Sequence, residues 1–191
     1  MSNIAKKMLL LVSSGKTVFM TAELAIFWET EDKNALRVTV SRAKKSEYLE
    51  SIRRGVYKLK DKKADLFELA GKLKKHSYVS FETVLAQAGV IFQWHDEIIS
   101  ASDRGSAIEN EFGKFLYRKI PKNVLLNNKG IINKGNYFTA SVERALCDKI
   151  YKDGLTYFDS LSGIDKEKVI EISKIYYNKR LENDIKKLFK L

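Results

Sequence analysis

Cysteine is almost absent: Cys147 stands alone among 191 residues, so the chain can form neither an internal disulfide nor a cysteine-rich zinc cluster, and that usage fits a reducing compartment. Histidine is scarce as well. His76 and His95 are too few, and too scattered relative to Cys147, to argue for zinc. Long hydrophobic runs are also missing, because the longest uninterrupted aliphatic stretch, Met8 to Val12, falls far short of a membrane span or of the apolar core of a secretion signal. The expectation is a cytoplasmic protein with no membrane partner, no metal and no cofactor. There are no internal repeats and no low-complexity tract, while 45% hydrophobic content suffices for a packed core in one large domain or two small ones.

What the chain does have is positive charge in one place. The net charge is +11, yet residues 1–33 carry four basic and four acidic side chains and residues 76–164 carry ten of each. Residues 34–75 hold thirteen basic against five acidic side chains, and the tail from Asp165 onward holds eight against five. A basic excess concentrated on one stretch of structured sequence is the footprint of a polyanion binder, since each neutralised phosphate releases condensed counterions. The alternative is a solvated face that serves only solubility.

Before the patch, "NIAKKMLLLVSSG" puts Ile4, Met8 and Leu11 on one helical stripe with Gly15 where the helix should stop. After the short apolar "TVFM", Thr21 has the character of an N-cap for "AELAIFWE", in which Leu24, Ala25 and Trp28 share a face. "TEDKN" then supplies capping letters for a third helix, "ALRVTVSRAKKS", whose Leu36, Val40 and Ala43 should face the core. The opposite arc carries Asn34, Val38, Ser41, Arg42 and Lys45, flanked by Arg37 and Lys44. "YLESI" and "VYKL" follow as two short β-type runs joined by Arg53-Arg54-Gly55, with imperfect alternation that predicts a bulge.

Helix, helix, basic helix and hairpin within about sixty residues is the layout of a winged helix-turn-helix. Arginine pairs with guanine and asparagine with adenine in the major groove, so Arg37, Arg42 and Asn34 are the candidates to read bases. Ser41, Lys44, Lys45, Arg53 and Arg54 are the candidates for phosphate contacts, which set register without reading sequence. Val38 fits either a thymine methyl group or packing against the wing or a dimer partner. The expected fold class is α+β, with a winged helix-turn-helix over residues 1–63 and a mixed α/β domain over 64–191, residues 64–75 forming a linking helix. In the second domain "YVSFETVLAQAG" reads as a helix capped by Ser80, and "IISAS", "KFLYRKI", "NVLL" and "NYFTA" read as strands. "SVERALCDKIYK" is helical with Ser141 as its cap, and helices over 166–177 and 181–188 end the chain.

Several stretches resemble chemistry without completing it. "SSGKT" lacks the glycine a phosphate-binding loop needs at position 10, where Leu10 stands, and a helix rather than a strand precedes it. Glu31-Asp32-Lys33 has a nuclease-like spacing but no strand to hold it and no second carboxylate nearby. Trp94-His95-Asp96 are adjacent residues, which do not present side chains to one point, and no nucleophile motif accompanies them. Cys147, between Leu146 and Ile150, reads as a buried inert thiol. Nothing here calls for an enzyme. A nuclease and a binder of structured RNA remain as competing readings of the same charge.

Three stretches in order, "ALRVTVSRAKKSEYLESIRRGVYKL", "YVSFETVLAQAGVI" and "TASVERALCDKIY", resemble the AbiEi-type antitoxins of bacterial type IV toxin–antitoxin and phage-defence abortive-infection systems. The resemblance implies an N-terminal winged helix that binds double-stranded DNA at inverted repeats in its own promoter and represses the operon, with possible dimerisation on the DNA. It also implies a C-terminal domain that counteracts a cognate nucleotidyltransferase-like toxin without a stable complex. The DNA role carries over to Arg37, Arg42, Lys44, Lys45, Arg53 and Arg54, and the third stretch is matched through Glu143, Arg144 and Asp148, read on their own as a helix cap and a structural ion pair. The chain departs from the family at Glu47, where many relatives carry glycine, so the resemblance leaves open the turn before the hairpin and the hairpin's register. A stand-alone winged-helix regulator is the alternative reading.

Overall fold

The computed structural model describes residues 3–93 and 95–191 and is of mixed α+β class. The chain divides into two compact units, Met1–Leu73 and Lys74–Leu191. The division falls later than the boundary at 63/64 expected from the sequence, because the helix after residue 63 packs as part of the first unit.

The first unit runs α1 (Asn3–Ser13), β1 (Val18–Met20), α2 (Thr21–Phe27), α3 (Lys33–Lys45), β2 (Leu49–Arg53), β3 (Val56–Leu59) and α4 (Leu66–Leu73). Its antiparallel sheet has the order β1-β3-β2. Met8 and Leu11 from α1, Leu24 from α2 with Trp28 at its C-cap, and Leu36, Val40 and Ala43 from α3 close over Phe19, Leu49 and Leu59 as one core. The three helical stripes meet there as their spacing requires. Trp28 also donates its indole N–H to the Lys7 carbonyl at 3.2 Å, fixing α2 to α1. Thr21 is the first helical residue of α2 rather than its cap: extended Met20 holds the cap position, and the Thr21 hydroxyl donates to the Gly55 carbonyl instead.

Among the described residues the second unit runs β4 (Tyr78–Val79), α5 (Phe81–Gln87), β5 (Glu97–Ser102), β6 (Ser106–Asn110), β7 (Gly113–Lys119), α6 (Lys122–Leu125), β8 (Ile131–Asn133), β9 (Phe138–Ala140), α7 (Val142–Asp153), α8 (Lys166–Ser173), a 3₁₀ turn (Lys174–Tyr176) and α9 (Lys179–Phe189). The mixed sheet has the order β6-β7-β5-β4-β9-β8, with β5/β7 and β4/β9 parallel and the other pairs antiparallel. β7 alternates buried Phe115 and Tyr117 with half-buried Leu116 and Arg118, the period of a strand with one covered face. α7 packs against α5, α8 and α9. "NVLL" is helical, not a strand: Pro121, with φ −58°, sits at its cap and starts the turn that buries Val124 and Leu125. The helix expected over 166–177 is broken by the 3₁₀ turn and by Tyr177 in the left-handed region. Gly130, at φ +74°, lets the loop before β8 approach α7, since a Cβ there would lie 2.8 Å from the Arg144 Cβ and 2.9 Å from Ile172 Cδ1.

Candidate nucleic-acid interface

α3 begins at Asp32, whose carboxylate accepts the N–H groups of Asn34 and Ala35 at 2.6 and 3.2 Å. That role accounts for Asp32 within the Glu31-Asp32-Lys33 triplet. With Leu36, Val40 and Ala43 turned into the core, Asn34, Arg37, Val38, Ser41, Arg42, Lys44 and Lys45 are all exposed. None of Arg37, Arg42, Lys44, Lys45 and Arg54 enters an ion pair among the described residues. Cations that satisfy nothing within their own unit leave their charge for a ligand or for solvent. Two neighbours differ: Lys58 pairs with Glu50 at 2.9 Å, and Lys60 pairs with Glu47.

The exit from α3 is tight. The Tyr48 N–H bonds the Ala43 carbonyl at 2.9 Å, and Glu47 adopts φ +59°, the left-handed conformation in which glycine is favoured. Glutamate therefore takes up a turn that glycine would make more cheaply. β2 then pairs with β3 through a bulge between Ser51 and Arg53, as the broken alternation predicts. Arg54 and Gly55 form the tip, with Gly55 at φ +84°.

The hairpin is anchored twice. The Gly55 carbonyl accepts both the N–H and the hydroxyl of Thr21, at 3.0 and 3.3 Å. The Arg53 guanidinium, through Nη2, donates to the Leu73 carbonyl at 2.7 Å and the Lys72 carbonyl at 3.4 Å. Arg53 thus satisfies the open C-terminus of α4, a position where positive charge is also favoured by the helix dipole. That leaves Arg54 as the free cation of the expected pair.

α4 is held to the same unit by carboxylates. Glu68 accepts the Thr17 N–H and hydroxyl at 2.8 and 2.9 Å, while burial pushes its carboxyl above the usual range. Burial acts the same way on Glu23, but Lys72, the Met20 N–H and Lys16 together hold that carboxyl below its ordinary value. The Glu68–Thr17 and Glu23–Lys72 contacts join residues 51 and 49 positions apart, beyond the reach of any local pattern.

In the second unit Arg144 and Asp148, one turn apart on α7, are fully buried. Asp148 accepts hydroxyls from Ser80 and Tyr176 at 2.7 Å and from Tyr78 at 3.1 Å. Arg144 donates to Tyr78 Oη at 2.9 Å and to the carbonyls of Val124 and Lys129 at 2.8 Å. Burial drives Asp148 above the usual carboxylate range against the pull of Arg144 and three hydroxyls, and it drives the Tyr78 and Tyr176 phenols up as well. Ser80 does stand at the cap of α5, but its hydroxyl serves Asp148 and makes no cap bond. Cys147 is buried and burial raises its thiol well above the ordinary value, which keeps it protonated and unreactive. Of the Trp94-His95-Asp96 triplet, Trp94 lies outside the described residues. Among the described residues no three metal-ligating side chains come together, and no helix is long and apolar enough to cross a membrane.

A second salt-bridge cluster joins Glu82 of α5, Arg118 of β7, and Lys149 and Asp153 of α7. Two cations and two carboxylates neutralise one another there, so it offers no net charge to an anion. The protein matches no family model and no curated protein.

Proposed function

We propose that the first unit is a winged helix-turn-helix in which α3 is the recognition helix and the β2–β3 hairpin is the wing, and that it binds duplex DNA. The observation that carries this is the outward face of α3, where Arg37, Arg42, Lys44 and Lys45 are exposed and in no ion pair among the described residues. The order of three helices and an anchored hairpin supports it. Arg37, Arg42 and Asn34 read base edges, while Ser41, Lys44, Lys45 and Arg54 hold phosphates. Taken with the resemblance of three stretches to AbiEi-type antitoxins, this makes the chain an antitoxin that represses its own operon at promoter inverted repeats. Its second unit then counteracts a nucleotidyltransferase-like toxin.

Two measurements test the two halves. The first is binding of the full chain to duplex from upstream of its own reading frame, against scrambled duplex and duplex RNA; equal affinity for all three overturns the sequence-reading role. The second is co-expression with the product of the adjacent reading frame. Growth arrest by that product alone, relieved by this chain, is the expected result, and arrest without relief overturns the antitoxin reading and leaves a stand-alone regulator.

A further inference from the structure

The basic excess of the tail is not used by this reading, and the fold gives it a surface. α9 buries Leu181, Ile185 and Phe189. On its other side Lys179, Arg180, Asn183, Lys186 and Lys187 are all exposed, and at 100° per residue they occupy an arc of about 120° that contains no carboxylate. Lys186 and Lys187 complement the helix dipole in the last turn, which is reason enough for them to be there. That explanation fails at the other end. Lys179 and Arg180 open the helix, where the dipole disfavours cations; Arg180 is held by the Tyr151 carbonyl, but Lys179 enters no ion pair among the described residues.

Two residues before Lys179 stands Tyr177, with φ +49° and 87% exposed. A non-glycine residue in the left-handed region is costly, and a ring this exposed recovers little of that cost by packing. An aromatic ring at the end of a cationic stripe is the arrangement that stacks an unpaired base while lysines track its backbone. A duplex has no open base face to offer such a ring. A membrane surface would require an outward apolar face, and the apolar residues of α9 are turned inward.

We infer that α9 and Tyr177 form a single-stranded nucleic-acid binding surface, with Tyr177 as the stacking platform and Lys179, Lys186 and Lys187 as the phosphate contacts. The inference does not depend on the DNA-repressor reading. The test uses the full chain carrying Arg37→Ala, Arg42→Ala, Lys44→Ala, Lys45→Ala and Arg54→Ala, which removes the exposed cations of α3 and of the hairpin tip, and follows anisotropy of labelled oligo(dT) and oligo(U) across a salt series. Binding to either supports the surface, and the comparison identifies which sugar is preferred. Adding Lys179→Ala, Lys186→Ala and Lys187→Ala should flatten the log–log salt slope by about 2. Tyr177→Gly should weaken binding by about fivefold or more, and Tyr177→Phe should retain it. Because glycine relieves the backbone strain, Tyr177→Gly should melt no lower than the parent, so lost binding cannot be ascribed to unfolding. Unchanged affinity in Tyr177→Gly, or equal competition by duplex of the same length, overturns the inference.

Discussion

Replacing Asp148 with alanine separates a structural role for the buried network of the second unit from a functional one. The carboxylate is wholly buried, accepts three hydroxyls at 2.7 to 3.1 Å, and lies 3.6 Å from Arg144 Nε. Alanine leaves the guanidinium charge buried without its counter-charge, and removal of one partner of a buried pair costs about 3–5 kcal/mol. The three stranded hydroxyls belong to the same network, so their losses overlap with this figure and do not add to it. Against a typical stability of about 5–15 kcal/mol this is a large fraction. Urea titration read by hydrogen-exchange mass spectrometry follows peptides of residues 3–73 and 74–191 separately. The second set should lose protection at lower urea while the first is unmoved. Arg144→Met gives the complementary sign. Without the guanidinium the Asp148 carboxyl rises further above its ordinary 3.8, so the folded state binds a proton that the unfolded state does not, and stability falls as pH rises through the folded value. The deficit of Arg144→Met should therefore shrink on going from alkaline to mildly acidic buffer. A cost below about 1 kcal/mol for Asp148→Ala, or a deficit in Arg144→Met that grows on acidification, refutes the network's structural role.

Arg42→Ala should weaken binding to the cognate repeat by about 1–3 kcal/mol and relax one base preference, measured against a panel of single-base operator variants. Arg54→Ala should weaken all duplexes alike and flatten the salt slope by about 0.9. Arg53→Ala should leave the slope unchanged while lowering the stability of the first unit by about 0.5–1.5 kcal/mol, the net value of the bonds it makes to α4, read by urea unfolding. Glu47→Gly should raise the melting temperature, because relief of the positive φ outweighs loss of an exposed ion pair. Gly130→Ala should destabilise the second unit by about 2–4 kcal/mol, combining strain at positive φ with contacts to Arg144 and Ile172 that are too close, as measured by denaturant midpoint.

The first unit was largely legible because its signals are local. Leu36, Val40 and Ala43 recur at helical spacing, Asp32 precedes them as a cap, and Arg54-Gly55 marks a hairpin tip, so α3 and the β2–β3 pair could be placed from neighbouring letters. Thr21 misled because a hydroxyl suited to capping found a better partner across the fold in Gly55. "NVLL" misled because a four-residue apolar run has no period, and Pro121 decided the matter. β1, β4, β6 and β8 were missed: β6 is a mixed "SAIEN", and the other three are only two or three residues long. The Asp148 network is assembled from residues 28 to 70 positions away, and no pattern in the sequence announces such meetings. The stripe on α9 was visible as tail charge, but not the left-handed Tyr177 beside it.

The clasp between the hairpin and α4 bears on how the gene can be dissected. A fragment stopping at residue 63 would keep every residue assigned to DNA yet discard Glu68, Lys72 and the carbonyl of Leu73, stranding the donors of Thr17 and the guanidinium of Arg53. The shortest piece that carries its own closure ends at Leu73, and a shorter one would misrepresent the β2–β3 hairpin as mobile.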